Sequence, residues 1–268
     1  MNSYSCRLGI IGCPILENEI VYLAVNDKDI SQIIVIRTEE SRSLLHKLSS
    51  ATSAKIICIE EGEIHNLKQV GYSLIILMKS MALHEDPQKL RGEVMQSIKQ
   101  IAPVCDSILL FYGLCGNAFR DLTEIKTAAG KDLFILADEC ERPVDDCIAA
   151  VLGGTEGYYR LLKRYPGVFY LTPEWAEHWR ELIFKMELTR GAERGDLSVL
   201  KWIFELAGYK KALKIDTGLG DKEEFERSVA EFAREFNFEL GSLEKEFITL
   251  DAIVRSYDKA KKCALHRN

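Results

Sequence analysis

The feature that most constrains this fold is the alternation of short apolar runs with longer segments of helical periodicity. Residues 72–78 and 107–112 are apolar at nearly every position, which is typical of strands buried on both faces of a parallel sheet. Residues 87–101 lie between them and repeat apolar side chains at the helical period. We therefore predict an α/β fold with mostly parallel sheets and helices on both faces. We expect one unit over residues 1–268, built as two Rossmann-like lobes whose boundary the sequence does not place.

The same criteria assign the other segments. The predicted strands are 7–12, 32–36, 55–59, 72–78, 107–112, 133–137, 168–171, 212–216, 236–240 and 246–250. The predicted helices are 16–25, 40–48, 87–101, 146–152, 156–165, 196–207 and 223–236. Thr172-Pro173-Glu174 predicts one more helix start, because a capping residue, a proline and an early carboxylate follow one another. The residues around Cys263 are interpreted as a basic tail.

Composition excludes several classes of function. The net charge is -6, and no basic run or arginine-rich arm is present, so we expect no nucleic-acid partner. Negative charge also disfavours an anionic membrane surface, and no apolar stretch approaches the roughly 20 residues of a membrane span. Residues 1–8 are polar and lead directly into a predicted strand, unlike a signal peptide. We expect a cytoplasmic protein.

Cysteines follow the predicted strands. Cys13, Cys115 and Cys140 come just after three of these runs, and Cys147 follows a few residues later. The carboxyl ends of parallel strands meet at one edge of the sheet, where ligands bind. In a reducing compartment, such thiols are more often buried, metal-bound or catalytic than paired in disulfides. We therefore predict that these four thiols converge.

The surroundings of these cysteines suit exposed, reactive thiols. Pro14 removes a backbone donor beside Cys13, and the glycines around Cys115 let backbone amides approach a ligand. Cys147 is expected in the first turn of a helix capped by Asp145. Further candidate positions for binding a substrate or an anion are Gly116 and Asn117 beside Cys115, and Thr217, Gly218 and Gly220 in a glycine-containing loop between a strand and a helix.

The leading hypothesis from these residues is a metal centre held by Cys13, Cys115 and Cys147. Cys140 or a carboxylate, Asp146 or Glu19, would complete the ligand set. An iron–sulfur cluster and zinc both accept thiolate ligands, so both remain open. Zinc would activate a thiol substrate for methyl transfer, and a cluster would pass electrons or bind a substrate at an open iron.

Two other functions remain open at this point, and with them whether the protein is an enzyme. Cys115 and Cys147 could act as acid and base on a carbon acid, as in metal-free racemases. A non-catalytic corrinoid or methyltransferase accessory protein would instead use the 217–221 loop and the tyrosine-rich surface to bind a partner such as a corrinoid protein. The chain has no DxHxxG pattern for carrying a corrinoid itself. A small-molecule partner is compatible with all three hypotheses.

Five groups of residues stand out together: Cys13 with Glu19-Ile20, Tyr112-Gly-Leu-Cys115-Gly-Asn117, Asp146-Cys147-Ile148 with Leu152-Gly153, Tyr170-Leu-Thr-Pro173, and Ile215-Asp-Thr-Gly-Leu-Gly-Asp221. Taken together, these motifs resemble the uncharacterised family known as domain of unknown function 1638. The resemblance runs over most of the chain, although Asp146 stands where that family often has histidine, and Cys140 is not part of its pattern. Members are often encoded near corrinoid-dependent methyltransferases, so the resemblance implies a role in anaerobic one-carbon metabolism.

Overall fold

The computed structural model describes residues 5–68, 70–185 and 196–266, and it confirms the predicted α/β class with parallel strands. The strands are β1 (Cys6–Gly12), β2 (Ile30–Ile36), β3 (Lys55–Ile59), β4 (Tyr72–Met78), β5 (Ser107–Phe111), β6 (Asp132–Ile135), β7 (Val168–Leu171), β8 (Lys211–Lys214) and β9 (Glu239–Ser242). The helices are α1 (Glu17–Asn26), α2 (Ser41–Ala51), α3 (Pro87–Ile101), α4 (Leu122–Ala129), α5 (Cys147–Ala150), α6 (Thr155–Arg164), α7 (Pro173–Glu177), α8 (Trp179–Lys185), α9 (Ser198–Leu206), α10 (Lys222–Phe236) and α11 (Asp251–His266).

The larger sheet contains six parallel strands in the order β3-β2-β4-β1-β5-β6. Both of its faces are buried, which is why its strands read as continuous apolar runs. In β1, Leu8 and Ile10 pack with α1, α2 and α11, whereas Ile11 packs with α3 and α4 on the other face. Gly9 permits close packing of β1, because a Cβ there would stand 2.8 Å from the Cys105 Sγ atom.

The central strand β1 ends at a topological switch point. It lies between β4 and β5, and the chain leaves β1 into α1 on one face of the sheet. From β4 and β5 the chain continues into α3 and α4 on the opposite face. Ligands of open α/β sheets bind at such a crevice, beyond the carboxyl ends of the strands.

The smaller sheet is also parallel, in the order β7-β8-β9. An aromatic cluster covers one face and includes Trp179, Phe225 and Phe232. The other face contributes Tyr170 and Leu213 to the same hydrophobic core as α1 and α11. The two sheets therefore share a core, and the division into two lobes stays a prediction.

Several segments differ from the prediction. Helix α4 has no predicted counterpart, and the strand expected over 236–240 lies at Glu239–Ser242, because α10 continues to Phe236. Residues 246–250 do not form a strand: the short 3-10 helix Lys245–Phe247 occupies part of them, and Thr249 makes an isolated bridge with Leu152. The basic tail is in fact the 16-residue helix α11, whose apolar face includes Ile253 and Tyr257 and packs on the larger sheet. Lys259 and Lys262 are exposed on its outer side, whereas Lys261 pairs with Asp27 and Asp29, and these basic residues conceal the apolar period of the segment. No helix in the described ranges has the length and apolarity needed to cross a bilayer.

Tyr257→Phe tests the docking of α11. The Tyr257 hydroxyl donates to Asp27 Oδ2 at 2.6 Å and lies 3.0 Å from the Tyr72 hydroxyl. Removing this hydroxyl leaves the Asp27 carboxylate and the Tyr72 hydroxyl each with one hydrogen bond fewer. We therefore expect the free energy of unfolding in urea to fall by about 1–3 kcal/mol. The control Tyr159→Phe removes the hydroxyl of an exposed tyrosine and should change the free energy of unfolding by less than about 0.5 kcal/mol. Equal effects of the two substitutions would contradict this docking.

Candidate functional site

The loops that follow β1 and β5 are joined at the switch point. The Tyr112 hydroxyl, just beyond β5, donates to the Gly12 carbonyl at 3.2 Å. Cys13 comes next and caps the short 3-10 helix Pro14–Leu16, where its carbonyl accepts from the Leu16 amide at 3.0 Å. This turn holds the half-buried Cys13 thiol at the end of the central strand.

The loops that follow β5 and β6 are joined by backbone pairing. The Leu114 amide donates to the Val144 carbonyl at 2.8 Å, and the Cys115 amide donates to the Asp145 carbonyl at 2.9 Å. These bonds place Cys115 beside the start of α5, although the two segments are about 30 residues apart in the sequence.

Cys115 occupies a sterically restricted turn. Cys115, Gly116 and Asn117 have φ values of 44°, 67° and 70°, all in the left-handed region. Glycine and asparagine tolerate this region, but a cysteine seldom adopts it. The turn is held by the Cys115–Asp145 backbone bond, and backbone strain of this kind is typical of functional sites.

Asp146 and Cys147 begin α5. Asp146 is the N-cap, and its Oδ1 accepts from the Ala149 amide at 2.8 Å. The prediction that Asp145 caps this helix is therefore wrong; the Asp145 carbonyl instead pairs with the Cys115 amide. Cys147 is the first helical residue, and its thiol is half-buried.

The structure brings Cys13, Cys115 and Cys147 to one cavity of about 380 Å³. Asp146 and Gly116 also line it, as two of the other residues singled out from the sequence. The part of the lining that comes from α6, α7, the smaller sheet and the turn after α9 forms a mostly aromatic wall. Its described residues are Tyr158, Leu162, Val168, Phe169, Tyr170, Trp175 and Tyr209.

Burial keeps these thiols protonated. Desolvation, followed by the nearby charge of Glu174, raises the pKa of Cys13 to about 11. Desolvation also raises the pKa values of Cys115 and Cys147 well above the ordinary range, and the Asp146 carboxylate and the other thiols of the cavity raise them further. At neutral pH the cavity therefore contains neutral thiols.

Cys140 is not placed with the other three cysteines. It is exposed and does not line the cavity, so the expectation that it joins their ligand set is not met. The reason is a tight turn after β6, in which Asp138 accepts from the Cys140 and Arg142 amides and Ala137 bridges Pro143. This turn directs residues 139–142 to the surface.

The predicted anion-binding loop also lies apart from the cavity lining. The Gly218 amide donates to Asp216 Oδ1 at 3.0 Å, and Asp221 caps α10. Gly220 packs against α1, because a Cβ there would stand 2.3 Å from Asn18 Nδ2. Thr217 Oγ1 is buried without a hydrogen-bond partner. Asn117 is exposed and does not line the cavity either. Anion binding at these positions stays a prediction.

Glu19 does not line the cavity and forms a buried pair of carboxyl groups with Glu174. Desolvation raises the pKa of Glu19 to about 7, and desolvation followed by the charge of Glu19 raises that of Glu174 well above its usual range. Glu174 Oε1 accepts from the Asn18 amide at 2.6 Å, whereas the Oε2 atoms of both glutamates have no partner. The Lys47 side chain lies near this pair, and its Nζ atom is 3.1 Å from Glu17 Oε1. The sequence analysis noted Glu174 only as part of a helix start.

Within the described residues, no three side chains of His, Cys, Asp or Glu already form a group that could hold a metal ion. Cys13, Cys115 and Cys147 share a cavity but are not preassembled as a ligand shell.

Comparison with known proteins identifies the family. The family model described as "Protein of unknown function (DUF1638)" matches residues 78–254, about two thirds of the chain. The chain belongs to the DUF1638 family. The matched DUF1638 region contains Cys115, Asp146 and Cys147, whereas Cys13 and Glu19 precede it. No curated protein matches the chain.

Gly113→Ala tests the contact between the two cysteine loops. A Cβ at this position would stand 2.7 Å from the Asp146 amide nitrogen and 2.8 Å from the Val144 carbonyl oxygen, both of which are backbone atoms. We expect a loss of about 1–3 kcal/mol in the free energy of unfolding and faster alkylation of Cys147. Gly92→Ala on α3 is the control; it meets no atom within 4 Å and should stabilise the protein by about 0.5–1 kcal/mol. An unchanged alkylation rate would show that this contact does not shield the thiol.

Glu19→Gln tests the buried carboxyl pair through pH. The pKa of Glu19 is raised in the folded protein, so its favourable contribution is present at low pH and is lost as pH rises from about 4 to its folded value of about 7. The glutamine at position 19 cannot ionise, so the free energy of unfolding of the variant should fall less over this range than that of the wild type. We expect the two falls to differ by roughly 1–3 kcal/mol. The exposed control Glu205→Gln should keep the wild-type slope. Parallel profiles for wild type and Glu19→Gln would contradict the raised pKa.

Proposed function

We propose that the cavity holds a soft metal centre bound by the thiolates of Cys13, Cys115 and Cys147, in a protein of anaerobic one-carbon metabolism that acts with a corrinoid methyl-transfer partner. The observation that carries the proposal is that three neighbouring loops of one sheet direct three thiols into a single cavity at the switch point. Zinc and iron–sulfur clusters are the groups that such a donor set favours.

The charges around the cavity support a cation there. The Asp146 carboxylate raises the pKa values of Cys115 and Cys147, and Glu174 raises that of Cys13. No Lys or Arg is among the described residues that line the cavity. A bound metal cation offsets the repulsion among thiolates in these negative surroundings, so metal binding would release thiol protons and strengthen as pH rises.

The residues divide into metal ligands and a substrate compartment. The three cysteines would hold the metal, and the Asp146 side chain stays committed to capping α5. The aromatic side chains line a compartment next to the thiols that is large enough for a small substrate. A zinc ion would supply Lewis acidity toward a thiol substrate, whereas a cluster would supply electron transfer or an open iron position.

Metal content of anaerobically purified protein, before and after reconstitution, tests the proposal. We expect about one equivalent of zinc or about four of iron, the latter with absorption near about 400 nm. Cys13→Ser, Cys115→Ser and Cys147→Ser should each lower retention at least about tenfold, whereas the matched control Cys140→Ser should retain metal as the wild type does. Less than about a tenth of an equivalent of any metal in reconstituted wild type would reject the centre.

A second candidate is the metal-free acid/base enzyme that uses Cys115 and Cys147. It is favoured by the lack of a preassembled metal group among the described residues. The raised pKa values oppose it, because a thiol must ionise to act as a base. Its signature would be two thiols that iodoacetamide labels rapidly in metal-free protein and that a small carboxylic acid protects.

A further inference from the structure

Aromatic rings make up most of the wall formed by α6, α7, the smaller sheet and the turn after α9. Tyr158, Phe169, Trp175 and Tyr209 come from separate elements, line the cavity and remain partly exposed. The ring centroids of Phe169 and Trp175 are 4.7 Å apart, and those of Phe169 and Tyr209 are 6.2 Å apart. Tyr158 contacts Tyr170 with a centroid distance of 6.3 Å.

The cavity lining contains few ionisable side chains besides its cysteines and tyrosines. Asp146 is the one Asp or Glu among the described lining residues, and its charge reaches the Tyr158 side chain, whose pKa it raises after desolvation. His84 lies at the rim; desolvation of its ring lowers its pKa, although the residue as a whole is exposed. An anionic ligand would therefore meet a carboxylate and no strong cation among these residues.

We propose that the cavity binds a small organic cation whose charge is covered by methyl groups, of the quaternary ammonium or sulfonium class. The faces of aromatic rings attract such cations, and the Asp146 carboxyl group, whose pKa desolvation raises, supplies the complementary negative charge when it is ionised. These ligands carry no N–H donors on the charged atom, so an apolar wall leaves none of their hydrogen bonds unsatisfied. The cavity of about 380 Å³ is within the size range of small-molecule sites. The inference rests on the proposed function only for placing the ligand beside the metal-binding thiols.

Binding to the full-length, metal-free, reduced protein tests the inference separately from the metal centre. Calorimetry and tryptophan fluorescence, to which Trp175 contributes together with Trp179 and Trp202, would compare choline with 3,3-dimethylbutan-1-ol, which has the same shape but a carbon atom in place of the charged nitrogen. We expect choline to bind about 5–30-fold more tightly than the neutral analogue. Succinate should not bind, whereas the acid/base alternative predicts that a small carboxylate does.

Matched variants separate the attraction of the Asp146 carboxylate for choline from that of the aromatic rings. Asp146→Asn keeps an acceptor for the Ala149 amide, so it should weaken choline binding severalfold and leave dimethylbutanol binding unchanged. Tyr209→Leu should weaken choline binding, whereas Tyr209→Phe, which keeps the ring, should preserve it.

Each result bears on the inference. Equal affinity for choline and dimethylbutanol, no choline binding by wild type, or binding that appears only after metal loading would overturn it. Choline binding by a wild-type protein that retains no metal would support this inference while rejecting the metal centre.

Discussion

The candidate site depends on the backbone pairing between the loop after β5 and the loop after β6. The bonds from Leu114 to Val144 and from Cys115 to Asp145 hold two segments distant in sequence in register. This pairing holds Cys115 in a left-handed turn that cysteine seldom adopts and places it next to Asp146 and Cys147. Without this pairing, the Cys115 turn would relax and the thiols would no longer share one cavity.

Desolvation controls the chemistry of the assembled residues. The thiols of the cavity have raised pKa values because burial disfavours their charged forms, and the neighbouring acids increase the effect. Free thiolate would therefore be scarce at neutral pH. A cation that replaces the thiol protons removes this penalty, so the same surroundings that suppress nucleophilicity favour metal binding.

Much of the fold follows from local patterns. The strands β3, β4 and β7 and the helix α3 have the predicted bounds, because apolar runs and helical periods are properties of neighbouring residues. The joint placement of Cys13, Cys115 and Cys147 also follows from a general rule, since the carboxyl ends of parallel strands share an edge. Cys140 also follows a strand of this sheet, β6, but the turn around Asp138 places it on the surface. That turn depends on side-chain hydrogen bonds, which have no clear signal in the sequence.

The aromatic wall could not be predicted, because it requires two sheets to pack together. Trp175 and Tyr209 read locally as parts of a helix and a loop, and no spacing connects them with Cys13. They reach the cavity because the smaller sheet packs on the larger one. The face of the smaller sheet that carries Tyr170 and Leu213 belongs to the same hydrophobic core as the larger sheet. The thiols and Asp146 then come from the larger sheet and its connections, and most of the aromatic rings come from the smaller sheet and its connections. The position of the smaller sheet on this shared core therefore sets the volume of the compartment. A change at that core, such as one at Leu213, would act on ligand binding without touching any group that contacts the ligand.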